Sequence, residues 1–392
     1  MSKLLAGFSK IALTTPRELI GYGLASHECK GVNDPLMVQS LVLERDEKRV
    51  AIITLDLLAI DFEGVHEMYH RLAALGFRAE DVLIAASHTH SGPPAIDFGL
   101  VSKNRELLAE VAAKAEESAR ASIRSLSRAS ARTGFIEFPH SASRRQRTIL
   151  GHSRLGLNLK DLVDHQLSCV LLRVAHEKAL LLCYGCHPTM TRHIPLASAD
   201  YVYGLRLRAA SLGISCAFFL NGALGDVTPY DRERHVSLER AGVEAAVAYG
   251  SRMTSEGLRS LSDARDEEDL DLVSATTHCE ISMRRYHGGT LARKVLLQAL
   301  KVGPLVLVGF PGEVFSKPAL DLKTRLSEQA ISIVSCANGY LGYLPPSNEY
   351  ARKGYEIMET PRVLGYSVVQ GTSEDLMDAA ERLVTSIRGL MT

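Results

Sequence analysis

Short apolar runs, about eight residues each, alternate along the chain with longer stretches that repeat on a helical period. Residues 50–58 are nearly all apolar and predict a strand. Residues 62–75 predict a helix, because Val65, Met68, Tyr69 and Leu72 share one face at 3.6 residues per turn. Residues 82–87 predict the next strand, and a strand–helix–strand unit favours a parallel pair. A longer helix follows, with Leu108, Val111, Ala115, Ala119 and Ile123 in register. Two runs at 168–174 and 179–186, split by a tight turn at 176–178, predict a hairpin. Further buried strands are expected at 214–220, 304–310 and 331–336. A last helix starts near Thr372, where Thr372 and Asp375 have capping-box spacing, and carries Leu376, Ala380, Leu383 and Ile387. The acidic stretch 263–271 predicts a surface loop. With no repeat, low-complexity segment or linker, the expected architecture is α/β. It has mixed, largely parallel central sheets with flanking helices, in a single large domain over 1–392.

Several of these runs end alike, in a short polar segment rich in Gly, Pro or His. The strand at 82–87 leads to His88-Thr89-His90-Ser91-Gly92-Pro93, and the one at 179–186 to His187-Pro188-Thr189. The run 214–220 leads to Asn221 and Gly225-Asp226-Val227-Thr228-Pro229, 304–310 to Pro311-Gly312-Glu313, and 331–336 to Asn338-Gly339-Tyr340 and Tyr343. Ligands of open α/β sheets sit outside the carboxyl ends of strands, so these segments are expected to converge. Two His and a carboxylate form a common catalytic zinc shell with a position left for water. Gly and Pro as plain strand terminators explain the glycines but not the paired histidines.

Composition narrows the setting. Lys+Arg and Asp+Glu number 45 each, which argues against a nucleic-acid partner or an anionic membrane. The apolar runs are too short for membrane insertion. Seven scattered cysteines, mostly within apolar runs, read as buried free thiols of a reducing compartment. The N-terminal residues lack the pattern of a signal peptide. A cytoplasmic location is expected, and a homo-oligomer is compatible with everything above.

The motifs resemble a known family. The segment Ala85-Ala86-Ser87-His88-Thr89-His90-Ser91-Gly92-Pro93-Pro94 resembles the Ser-His-Thr-His-Ser-Gly-Pro-Gly segment of neutral ceramidases. The run from Gly225 to Pro229 resembles their Gly-Asp-Val-Ser-Pro signature. Tyr343, Tyr350 and Tyr355-Glu356 keep the family's tyrosine spacing, and Ala6 to Ile11 with Gly21-Tyr22-Gly23 resemble its start. The resemblance implies a zinc hydrolase with His88, His187, Glu313 and Tyr343 as metal ligands. It also implies that His90 aids the water or protonates the leaving amine, and that Tyr355 and Arg144 stabilise the oxyanion. Arg145 rivals Arg144, because the family's Asn-Arg-Ser is here Ser143-Arg144-Arg145. Thr228 stands where the family has Ser and would orient substrate. Asp200 and Asp226 would anchor the imidazoles, with turn capping as the plainer alternative. On a strand, His88 and His90 would share a face.

Two motifs point elsewhere. His66-Glu67-Met68-Tyr69-His70 matches the H-E-x-x-H pattern of zinc peptidases, but its helix buries the intervening stripe and lies in a crossover. Cys183-Tyr184-Gly185-Cys186-His187 matches a haem-attachment pattern, and ordinary core cysteines explain it better. Cys186 and His187, being adjacent on a strand, would face opposite ways and make a poor thiol hydrolase. The chain departs from the family in stopping soon after the tyrosine segment, before the expected C-terminal β-sandwich. It also reads Tyr343-Leu344-Pro345-Pro346 and Tyr355-Glu356-Ile357-Met358 at the pocket rim, which points away from ceramide toward a smaller amide of N-acyl amine type. Three functions stay open: a zinc amidohydrolase, a zinc esterase or lactonase on a small substrate, and a non-catalytic binding protein with the same fold.

Overall fold

Both faces of each main sheet are covered, and this dictates how the strands read. The computed structural model describes residues 3–21, 23–327 and 330–389, so Tyr22 of the N-terminal resemblance lies outside the described residues. The larger sheet runs Cys216–Asn221, Glu177–Tyr184, Gln166–Val174, Ser127–Glu137, Leu5–Ala12, Met37–Arg45, Lys48–Leu55, Val82–Ala86. A second sheet runs Ile331–Val334, Leu305–Gly309, Thr290–Val302, Leu272–Arg285, Tyr366–Val368.

Three apolar cores separate four layers. Helices Phe62–Ala73, Arg105–Arg124, Tyr201–Ser211 and Val243–Arg259 cover one face of the larger sheet, packing on Val42, Ile53, Leu180 and Phe219. Leu41, Ile52, Leu181 and Phe218, on its other face, meet Leu300, Leu305 and Leu307 of the second sheet. Val306, Val308 and Ile331 then pack under helices Ser316–Arg325 and Thr372–Gly389 through Leu322, Leu376 and Leu383. Leu305 and Leu307 thus face one core and Val306 and Val308 another, the period-two alternation of a strand.

The mixed α/β class is as expected, but the sheets are not largely parallel. Only Lys48–Leu55 with Val82–Ala86, Glu177–Tyr184 with Cys216–Asn221, and Leu305–Gly309 with Ile331–Val334 pair in parallel within the two main sheets. Their other pairings are antiparallel. Strands buried on both faces read as continuous apolar runs, a pattern typical of parallel sheets, whatever their direction. Each parallel pair is joined by a crossover containing one α-helix, respectively Phe62–Ala73, Tyr201–Ser211 and Ser316–Arg325. Antiparallel neighbours such as Gln166–Val174 and Glu177–Tyr184 need only a tight turn.

The first crossover helix shows the local logic. Asp61 caps it, its carboxylate accepting from Gly64 N at 2.9 Å. Val65, Met68 and Leu72 are buried, while His66 and His70 face solvent. At the last helix the expected capping box does not form. The Thr372 hydroxyl donates to Val369 O at 2.8 Å, and Asp375 N donates to Gly371 O.

Candidate metal centre

The six strands of the three parallel pairs all end at one rim. Two of them, Glu177–Tyr184 and Cys216–Asn221, continue into Gly185 and Gly222, which cross so closely that a Cβ on Gly222 would lie 2.8 Å from Gly185 N. Asn221 stitches three strand ends together. Its Oδ1 accepts from Cys186 N at 3.1 Å, and its Nδ2 donates to Ser87 O at 2.9 Å and Cys186 O at 3.0 Å.

His88 and His187 are fully buried in this knot. Each donates Nδ1–H to a backbone carbonyl, His88 to Leu58 O at 2.7 Å and His187 to Val227 O at 2.9 Å. His90 does the same to Gly21 O. A carbonyl only accepts, so Nδ1 carries the proton and the Nε2 lone pair of each ring points inward. Burial is the main force pulling all three imidazoles below the usual histidine range, which keeps them neutral. Their ligand atoms lie within 4.8 Å of one another. Strand alternation does not explain the convergence of His88 and His90, because the strand stops at Ala86 and His88 has a φ of 70°. A non-glycine residue in that region is strained and persists only where its surroundings hold it.

Glu313 completes the cluster. It pairs in parallel register with Tyr343, so both side chains project to the same face. Its Oε1 lies 3.5 Å from His88 Nε2 and its Oε2 lies 3.1 Å from His187 Nε2. Tyr340, which the motifs did not single out, donates its hydroxyl to Glu313 Oε1 at 2.5 Å. The Tyr343 hydroxyl accepts from Arg144 Nη2 at 2.7 Å, and its ring stacks near His187 at 6.5 Å between centroids.

The structure separates the two arginines. A bulge between Ser143 and Arg145 shifts the strand register, and bulges re-aim side chains. Arg144 turns to Tyr343 and lies 5.9 Å from the centroid of the Tyr355 ring. Arg145 turns away into Glu349, Glu356 and the Lys353 carbonyl. Glu356, also unforeseen, binds both guanidiniums, accepting from Arg144 Nε at 3.1 Å and from Arg145 Nη1. Thr228 is buried in strand Val227–Asp231, its hydroxyl 3.4 Å from Ser237 Oγ.

Neither Asp200 nor Asp226 touches an imidazole; the anchors are backbone carbonyls. Asp200 caps helix Tyr201–Ser211 and accepts from Thr191 N at 2.7 Å. Asp226 accepts from Ser316 N at 2.8 Å. Burial pushes their carboxyls up to about 6 and about 7. Cys183 and Cys186 are buried free thiols, raised by burial, which suits core packing and not nucleophilic chemistry.

A metal ion fits this donor set. Nε2 of His88, His90 and His187, together with Glu313 Oε2, are buried atoms that make no hydrogen bond. Each such atom costs about 1–3 kcal/mol when nothing satisfies it. Four such atoms gathered in one buried cluster suit a ligand that accepts lone pairs.

Two solved structures share this architecture. Neutral ceramidase from Pseudomonas aeruginosa matches with a TM-score of 0.81 and 16% identity over 99% of this chain and 75% of its own. A ceramidase complexed with C2 matches with a TM-score of 0.76 and 16% identity, over 99% of this chain and 76% of its own. No protein-family model matches the chain, and no curated protein matches it in sequence. The chain therefore has the neutral ceramidase fold over nearly its whole length.

Proposed function

We propose, from a neutral ceramidase fold whose rim holds an unsatisfied donor cluster, that this protein is a zinc-dependent hydrolase of linear amides. The inward-facing lone pairs of buried neutral imidazoles beside a carboxylate carry the reading. The neighbours' ceramidase activity supports the bond type. The donors come from residues 88 to 343, so the reading treats 1–392 as one hydrolase domain.

In this reading His88, His187, Glu313 and Tyr343 hold the ion. His90 stays outside the ligand set because only His88 and His187 approach the Glu313 carboxylate. Bound zinc would supply Lewis acidity and bring the pKa of water toward neutrality. His90 would carry a proton to the leaving nitrogen. Arg144 and the Tyr355 hydroxyl would donate to the oxyanion as the carbonyl becomes tetrahedral. Tyr340 fixes the Glu313 carboxylate, and Thr228 would orient substrate. Seven free cysteines support a cytoplasmic setting. Among the described residues no helix is long and apolar enough to cross a membrane. The helix that carries the H-E-x-x-H pattern does not compete, because His66 and His70 are exposed on the outer layer.

The test pairs two variants. His88→Ala should lose both zinc, measured by elemental analysis, and turnover of an N-acyl amine. His90→Ala should keep zinc and lose about 10²–10⁴-fold in kcat. Zinc retained at full stoichiometry in His88→Ala would remove the basis of the assignment. A matched amide and ester panel separates the amidohydrolase from an esterase.

A further inference from the structure

Beside His90 lies a cavity of about 160 Å³ to which the reading above gives no task. Ile20 and Ile194 give it an apolar wall, Arg192, His27 and His193 give it a basic one, and His90 borders it. Among the described residues that line it there is no carboxylate, and the nearest one to Arg192 is its partner Glu239. Arg192 is the anchor of the basic wall. Its side chain is 18% exposed and pairs with Glu239 at 2.7 Å. A guanidinium is a planar fork of five N–H donors and can serve two acceptors at once. Burial pulls the guanidinium down most; Glu239 pushes it back up, and the charges of Arg240 and Arg144 pull it further down. The cavity wall therefore presents a guanidinium whose charge is met on one side by Glu239, with Arg144 within electrostatic reach.

Size limits what can enter. A water occupies about 30 Å³, so the cavity holds about five water volumes. That accommodates a carboxylate with a short aliphatic stub. The position identifies which half of the substrate goes there. His90 borders the cavity and is the group that would protonate the leaving nitrogen, so the amine half lies on this side.

We infer that this cavity binds the carboxylate of the leaving amine, and that the substrate is an N-acyl amino acid with a small apolar side chain. Arg192 is the specificity-determining residue. The inference rests on the amide-hydrolase reading and names its substrate class. The balance is that of hydrolysis: the acyl C–N bond breaks, a C–O bond forms from water, and water's proton goes to nitrogen, releasing a carboxylate and an amino acid.

The experiment compares N-acetyl-L-leucine with N-acetyl-3-methylbutylamine, which is the same molecule without its carboxylate, on the zinc-loaded full-length protein. The acid should be cleaved with a kcat/KM about 10- to 100-fold higher, the worth of one charged hydrogen bond. In Arg192→Met that ratio should fall toward one, and Arg192→Lys should restore part of it. A wild-type ratio at or below one, or a ratio that Arg192→Met leaves unchanged, overturns the inference while amide hydrolysis stands. If neither compound is cleaved, the cavity is judged by binding alone. N-acetyl-L-leucine raising the Tm of wild type but not of Arg192→Met then supports it, and no shift in wild type overturns it.

Discussion

Two buried polar clusters sit side by side at the rim of the sheets, and they are built on opposite principles. Around Arg145 the charges are closed on one another. Its guanidinium donates to Glu349 at 2.7 Å, to Glu356 and to the Lys353 carbonyl at 2.7 Å, while Arg147 and Arg352 complete the shell of Glu349. Around Glu313 the donors are left open, with three imidazole nitrogens and a carboxylate oxygen unsatisfied. Satisfied polarity of the first kind holds a structure together. Unsatisfied polarity of the second kind is stable only with a ligand to complete it. Arg144 and Glu356 join the two, because Glu356 grips both arginines while Arg144 reaches Tyr343.

The sharpest way to break this contrast is to open the closed cluster. Arg145→Met should leave Glu349 and Glu356 buried with too few partners, lowering stability by about 3–5 kcal/mol in urea unfolding, the range for breaking a buried pair. A loss under about 1 kcal/mol, the level of a surface pair, would show that the cluster is not structural.

That contrast was only partly legible in the sequence. His88-Thr89-His90 and the polar ends of the apolar runs marked the rim, because ligand motifs are local. Strand direction was not legible, because Leu305 to Val308 is buried on both faces and its alternation is hidden within one apolar run. The roles of Tyr340 and Glu356 were illegible for another reason: they depend on partners 27 and 212 residues away, Glu313 and Arg144. The choice between Arg144 and Arg145 depended on a bulge that no local pattern announces. The anchoring of the imidazoles by carbonyls of Leu58, Gly21 and Val227 carries no sequence signal at all, since any residue offers that group.

A smaller effect sharpens the open cluster. Tyr340→Phe removes the hydroxyl that fixes Glu313 and should weaken zinc affinity about 10–100-fold in a competitive chelator titration, as losses of such supporting hydrogen bonds do. Unchanged affinity would mean that the carboxylate is held by packing alone.

The smallest effect is a pH dependence of the closed cluster. Burial pushes the Glu349 carboxyl up, but hydrogen bonds from Arg147, Arg352 and Arg145 and the Arg145 charge outweigh it and hold it at about 2. Its folded-state value lies below the unfolded one, so its contribution is fully present above about pH 4.5 and is lost as pH falls toward about 2. Glu349→Gln should flatten the acid limb of a stability–pH profile over that window. A limb identical to wild type would exclude Glu349 as its source.

In the proposed function, residues distant in the sequence meet around one ion. Anomalous diffraction at the zinc edge, from crystals grown with zinc, tests it most directly. A single strong peak is expected about 2.0–2.2 Å from His88 Nε2, His187 Nε2 and a Glu313 oxygen. A peak at His66 and His70 instead, or none among the three imidazoles at full zinc loading, would contradict it.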